Sequence, residues 1–305
     1  MKIAVMGTGA MGGYIGARLA EAGANVAFVA RGAHLAALRE RGLKVTSLDG
    51  DIHLRPALVT DDPGEVGAVD LILLGVKLYD VEAAVRALVP MVGPDTGIVS
   101  LQNGVETPEI VSRLVSLHQN VPGISWINGE IAEPGVIRHN SGSALILGEM
   151  DGRSSDRLQS LLQIVSTSSL DIKISKNIVL DLWRKLLILT PMAGVSTLTR
   201  VPLGRMRATS ETRGLFDDAI AEVIAVAHAE GVALEEKDKS AALKFIETGP
   251  ANWRGSLMFD LEAGRRLEVA WLHGTICRLG ERHGIGTPFH RIVLGALMPH
   301  ADGLA

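Results

Sequence analysis

The sequence holds a single cysteine, Cys277, so no internal disulfide can form and no thiolate cluster can hold a metal. It also lacks an excess of either charge: 30 Lys and Arg stand against 34 Asp and Glu, a net charge of −4. Without a basic stripe there is no electrostatic footprint for nucleic acid, and none is expected as a partner. No secretory leader is legible, because the apolar run at residues 3–6 is broken at once by glycines and a signal needs a longer one. Long lipid-compatible runs are missing too. The most apolar later stretch, residues 180–198, carries Asp181, Arg184 and Lys185, which a lipid-facing helix does not tolerate easily. Repeats and low-complexity tracts are likewise missing. These absences point to a cytoplasmic protein with no membrane partner.

What is present suits buried cores. The chain has 305 residues, 47% of them hydrophobic, with a mean hydropathy of +0.25, and its length predicts two domains. Apolar runs at 2–6, 25–30, 69–76 and 97–101 read as strands, and residues 10–22 and 32–41 as helices. Strands alternating with helices in this way imply an α/β fold, a Rossmann-type, parallel, doubly wound sheet. Residues 44–47 and 52–59 bracket an Asp49-Gly50 turn and predict an inserted hairpin. Residues 137–148 predict another pair of short strands, turning near Ser141-Gly142. Beyond Asn177 the strand patterns vanish and helical periodicity takes over. The spacing of Leu215, Ala219, Ile220, Val223, Ile224 and Ala227 predicts a helix from Thr209/Ser210 to Gly231. Val269, Leu272, His273, Ile276, Leu279 and Gly280 repeat that spacing, and Thr287-Pro288 opens a last helix. The expected organisation is a Rossmann-type domain over 1–175 and an all-helical domain over 176–305.

Gly7-Thr8-Gly9-Ala10-Met11-Gly12 fits the pattern G-x-G-x-x-G, directly after a strand and opening a helix. Gly7 allows the tight turn, Gly9 lets the backbone approach a pyrophosphate, and Gly12 lets helix and strand pack closely. The helix N-terminus offers free N–H groups and a positive dipole end to the anion. An NAD-binding chain usually carries an acid roughly 20 residues further on, for the ribose 2′-hydroxyl. Here the second strand ends Phe28-Val29-Ala30-Arg31, with an arginine that can donate a planar fork to a 2′-phosphate. NADP is therefore the expected cofactor. Lys77 and Asn103 follow later strands, at the end of the sheet where ligands bind in this fold. Each has an equally open ordinary explanation, a solvated lysine and a turn residue before glycine.

The chain resembles the ketopantoate reductase (2-dehydropantoate 2-reductase) family along almost its whole length. The resemblance rests on the glycine loop, Arg31, Val76-Lys77, Leu101-Gln102-Asn103-Gly104, Gly135-Val136, His139, Gly148 and Trp183-x-Lys185-Leu186. It continues through Gly255-Ser256-Leu257-Met258-x-Asp260, Gly264-Arg265, Glu268 and Gly284-Ile285-x-Thr287-Pro288. It implies NADPH-dependent reduction of a 2-keto acid, with Lys185 protonating the developing alkoxide. It further implies that Glu268 lies near the nicotinamide ribose and the lysine, that Ser256 binds substrate, and that Asn103 touches nicotinamide and substrate. A cleft between the domains is the implied substrate site, with Asn103 supplied by the first domain, and a homodimer through the helical domain follows family habit.

One departure bears on the substrate. The family's asparagines after the catalytic lysine are replaced by Leu189, Ala193 and, further on, Leu203. A buried substrate hydroxyl left unpaired against such a wall costs on the order of 1–3 kcal/mol. Leu189 should share a helix face with Lys185 and line the pocket. The apolar surroundings should also lower the lysine pKa. Pro191 predicts a kink just beyond. A 2-keto acid with a more apolar side chain than ketopantoate is thus the expected substrate, a shift with precedent in D-2-hydroxyacid dehydrogenases of the family. Two alternatives stand beside it. One is ketopantoate reduction for pantothenate synthesis, with Thr190, Thr197 or Asn252 as replacement polar groups. The other is an NADP-binding regulatory protein without turnover.

Overall fold

Successive side chains of a strand point to opposite faces, and the N-terminal sheet buries both. Its strands are β1 (Lys2–Met6), β2 (Asn25–Val29), β3 (Leu43–Thr46), β4 (Ile52–Leu54), β5 (Leu58–Thr60) and β6 (Val69–Leu74). They continue with β7 (Val92–Ser100), β8 (Asn120–Glu133), β9 (Val136–Leu147) and β10 (Asp171–Ile174). The helices between them are α1 (Ala10–Glu21), α2 (Gly32–Arg41), α3 (Pro63–Val66), α4 (Val81–Ala87), α5 (Thr107–Ser112) and α6 (Asp156–Val165). Ile3, Val5, Leu71, Leu73 and Val99 pack on one face with Tyr14, Ile15 and Leu19 of α1. Ala4, Met6, Ile72, Leu74 and Ile98 pack on the other with Val81 and Val85 of α4.

The sheet runs β4-β3-β9-β8-β7-β6-β1-β2-β5, with β10 paired to β9. Six neighbouring strands, β5-β2-β1-β6-β7-β8, are parallel. Their order reverses between β1 and β6, which is the switch point where doubly wound sheets bind nucleotides. The computed structural model describes residues 1–304 and divides into two compact units. One is Met1–Gln102 with Thr107–Ile178; the other is Asn103–Glu106 with the chain from Val179 onward.

Two strand expectations are corrected. The arm predicted over 52–59 stops at Leu54, where Arg55-Pro56 intervenes and proline has no N–H for a ladder. Residues Leu58–Thr60 instead join β2 in parallel, while β3 and β4 form the inserted hairpin on the far side of β9. Residues 137–148 are not a hairpin of their own. They form one long strand, β9, antiparallel to β8, with the register shifting where Gly142 (φ +81°) bulges against Trp126. The Ser141-Gly142 signal marked a bulge, which uses the same positive-φ glycine as a turn.

From Val179 the described chain is helical. Its helices are α7 (Ile178–Thr199), α8 (Leu203–Ala208), α9 (Ser210–Ala229), α10 (Glu236–Thr248), α11 (Ser256–Glu262), α12 (Val269–Arg282) and α13 (Pro288–Leu297). The apolar stripes of α9 and α12 are buried as their spacing requires. Gly194 lets α7 approach closely, since a Cβ there would fall 2.8 Å from the His273 ring and 3.0 Å from Phe289. The side chain of Thr287 makes no cap hydrogen bond. Glu222 of α9 does that work instead, accepting the N–H groups of Phe289 (2.7 Å) and His290 (3.1 Å).

A buried ion pair ties the end of β9 to α6 and to the start of β7. Glu149, 2% exposed, accepts from Arg157 Nε (2.8 Å) and Ser155 Oγ (2.5 Å), and Arg157 also donates to the carbonyls of Asp95 and His118. Arg157→Ala leaves the Glu149 carboxylate buried without its cation and should cost about 3–5 kcal/mol in urea unfolding. A loss under about 1 kcal/mol would mean that the pair behaves as an exposed one.

Candidate active site

The glycine loop follows β1 at the switch point. Gly7 takes φ +96°, and a Cβ there would lie 2.6 Å from Val76 Cγ1 and 2.8 Å from Val76 N. A Cβ on Gly12 would collide with the Gly7 carbonyl oxygen. Gly9 is different: the nearest atom to a Cβ there is the Gly75 oxygen at 4.0 Å, so its missing side chain leaves open space. Gly13 N–H donates to the Gly9 carbonyl (2.8 Å), which leaves the N–H groups of Ala10, Met11 and Gly12 outside the ladder of α1. An open backbone cradle at the N-terminus of a twelve-residue helix fits a pyrophosphate. Thr8 is a fastener within this loop, because its N–H (3.1 Å) and O–H (3.0 Å) both donate to the Val29 carbonyl. That bond sets the loop against the end of β2, which leads into Arg31. Arg31 is exposed, with extended backbone, at the start of α2.

Lys77 is exposed and precedes a single 3-10 turn, Leu78–Asp80. Gln102, which the sequence did not single out, is buried at the end of β7. Its amide donates to the carbonyls of Leu74 (2.7 Å) and Val76 (2.9 Å), joining the ends of two parallel strands. An amide placed immediately after an apolar strand was the available signal. Asn103 departs from expectation. Asn103–Glu106 groups with the helical unit, not with the sheet that precedes it in the chain. Gly104 (φ +95°) lies against the first turn of α12, where a Cβ would sit 3.4 Å from the Trp271 oxygen. The half-buried Asn103 side chain is therefore carried by the same unit as Lys185, Ser256 and Glu268.

Lys185 sits in the apolar middle of α7, 6% exposed, and Glu268, 7% exposed, precedes the first residue of α12. Burial pulls the Lys185 ammonium down to about 8, and the nearby Glu268 carboxylate opposes that fall. Ser256 is exposed and begins α11. The helix α7 runs unbroken through Pro191 to Thr199, so Leu189 and Ala193 keep their places one and two turns beyond Lys185. Leu189 is half-buried, and Ala193 and Leu203 are buried. Gly255 packs on Ala193, and Leu203 N–H donates to the Trp253 carbonyl (3.0 Å), so both apolar positions meet the segment that leads into Ser256.

Of the three replacement polar groups, the two threonines are engaged with their own helix. Thr190 is fully buried and donates to the Leu186 carbonyl (3.1 Å), with His290 Nε2 at 3.3 Å. Thr197 donates to the Ala193 carbonyl (2.7 Å), and Asn252 is exposed. Thr hydroxyls inside a helix readily bond back to the carbonyl one turn earlier.

Glu268→Gln removes the charge that supports the lysine, so the Lys185 pKa should fall below about 8. A pH titration of labelled lysine by carbon NMR measures it, and an unchanged or higher value contradicts this electrostatic coupling.

The family model described as ketopantoate reductase PanE/ApbA matches residues 3–152, and its C-terminal counterpart matches residues 177–301. The chain is 29% identical to the uncharacterized oxidoreductase YkpB of Bacillus subtilis, over 94% of this chain and 95% of that one. It is 28% identical to the 2-dehydropantoate 2-reductase of Halobacterium salinarum, over 95% and 96%. Among solved structures, the PanE/ApbA family ketopantoate reductase from Ralstonia eutropha superposes with a TM-score of 0.89 at 30% identity, over 99% and 98% of the two chains. With both family models matched in order and relatives aligned end to end, the chain belongs to the ketopantoate reductase family of oxidoreductases.

Proposed function

We propose that the protein reduces a 2-keto acid to the 2-hydroxy acid with NADPH, and that its substrate carries a more apolar side chain than ketopantoate. The observation that carries this is Lys185, an ammonium buried in an apolar helix face with its pKa near 8. The N-terminal unit serves as the dinucleotide-binding domain and the helical unit as the catalytic one.

The chemistry follows from the residues. NADPH, when bound, supplies the hydride that adds to the keto carbon. The carbonyl π pair moves onto oxygen as an alkoxide, and Lys185 Nζ stabilises that charge and transfers its proton to it. Glu268 raises the Lys185 pKa and so favours its charged form. Asn103 and Ser256 hold the substrate by hydrogen bonds. The backbone of Gly7, Thr8, Gly9, Ala10, Met11 and Gly12 receives the pyrophosphate, and Lys77 lies at the strand ends beside it. Arg31 takes the 2′-phosphate as a planar fork. Leu189, Ala193 and Leu203 offer no hydrogen bond to a substrate hydroxyl. The engagement of Thr190 and Thr197 with their own helix supports an apolar substrate over ketopantoate.

A panel of 2-keto acids followed by NADPH oxidation tests the assignment. Branched or aryl side chains should give kcat/KM at least about tenfold above ketopantoate, the size of one lost hydrogen bond. Ketopantoate as the fastest substrate by orders of magnitude would overturn the specificity, and no turnover at all would point to a regulatory protein. The reduction rate should fall as pH rises through about 8, because the acid is Lys185 in its protonated form. Oxidation of the hydroxy acid, which needs the neutral amine, should rise through the same pH.

Arg31→Ala should raise the KM for NADPH about tenfold or more and narrow the preference over NADH, leaving kcat with the keto acid nearly unchanged. An unaltered NADPH/NADH ratio would refute the assigned role of Arg31.

A further inference from the structure

The segment Asn103–Glu106 leaves the end of a sheet strand yet groups with the helices. One carboxylate bonds this segment to the helices. Glu106 Oε2 lies 2.7 Å from Thr275 Oγ1 and accepts from Arg278 Nη2 at 2.7 Å. Thr275 is fully buried and shares its single proton between Glu106 and the Trp271 carbonyl, also 2.7 Å away. Arg278 reaches back along its helix to the Ala270 carbonyl (2.9 Å) and donates to Thr275 Oγ1 (3.1 Å). Every partner of Glu106 therefore stands on α12, the helix that Glu268 precedes.

We infer that Glu106 is a positioning residue, which clamps the Asn103 loop onto α12 and so fixes Asn103 in one frame with Glu268 and Lys185. This rests on the proposed role of Asn103 in holding substrate. The loop needs such a clamp. Gly104 holds a positive φ that costs it no strain, and a glycine gives the backbone freedom to leave that conformation. Charge-assisted bonds to a buried hydroxyl and a guanidinium remove that freedom from the side of Glu106. A displacement of about 1 Å in a substrate-positioning group can cost up to about a hundredfold in rate, so the clamp acts on turnover without touching substrate.

The experiment uses the full chain with NADPH and 3-methyl-2-oxobutanoate as the probe. Glu106→Ala should lower kcat/KM about tenfold in the otherwise unaltered protein and less than about twofold in an Asn103→Ala background, since residues acting through one another are not additive. NADPH binding, read by fluorescence titration, should weaken no more than it does in Asn103→Ala. Glu106→Gln keeps an acceptor for Thr275 and should recover part of the loss. Independently of turnover, amide hydrogen exchange at residues 103–106 in the cofactor-free protein should accelerate in Glu106→Ala. Equal penalties in both backgrounds, or unchanged exchange in the loop, would overturn the proposal. A fully active Asn103→Ala protein would remove the role of Asn103 and this proposal with it, whereas an unaltered protein inactive on every keto acid would refute the reaction itself.

Discussion

An ammonium taken out of water loses its hydration, and in this fold Lys185 recovers part of that loss from the field of Glu268. The two residues come from helices far apart in the chain, and each is almost fully covered. The helices around them are packed closely. Gly194 on α7 removes the side chain that would keep the helix from His273 of α12. Glu222 closes the open amides of α13, and its second oxygen lies 2.6 Å from His290 Nδ1. Burial there has a chemical consequence, since a lysine with its pKa near 8 can both hold and release a proton close to neutral pH.

The sheet unit answers a different constraint, which is to keep the start of α1 open. Its two core layers fix β1 and β6 on either side of the switch point, and the glycines let the loop fold tightly between them. Where Gly7 and Gly12 are small because neighbouring atoms crowd them, Gly9 is small with nothing beside it. That difference separates packing glycines from a glycine that leaves room for a ligand. Thr8 and Gln102 then join neighbouring strand ends through carbonyls, so the cradle is held by polar bonds at the rim and by apolar packing beneath it.

Patterns that depend on neighbours in the chain were legible. The parallel strands β1, β2, β6 and β7, the helices α1 and α2, and the amphipathic helices α9 and α12 follow from continuous apolar runs and from a period of three to four residues, whereas β5 was read as a hairpin arm and β8 was not read at all. The glycine loop was legible for the same reason, because its spacing encodes a turn and a helix start. The β8–β9 ribbon was not. Its second strand carries a positive-φ glycine, and a bulge and a turn use the same residue for the same dihedral. Gln102 and Glu106 were passed over because an amide and a carboxylate after a strand look solvated until their partners are known.

By itself the sequence determined the fold class, the place of the glycine-rich turn, and the apolar character of the positions after Lys185. These are properties of residue type and spacing. Tertiary structure decided how deeply Lys185 and Glu268 are covered, and that Asn103–Glu106 joins the helical unit. Each of those depends on which groups meet across long separations in the chain. Desolvation and hydrogen-bond partnership are set by such meetings, and no local pattern records them.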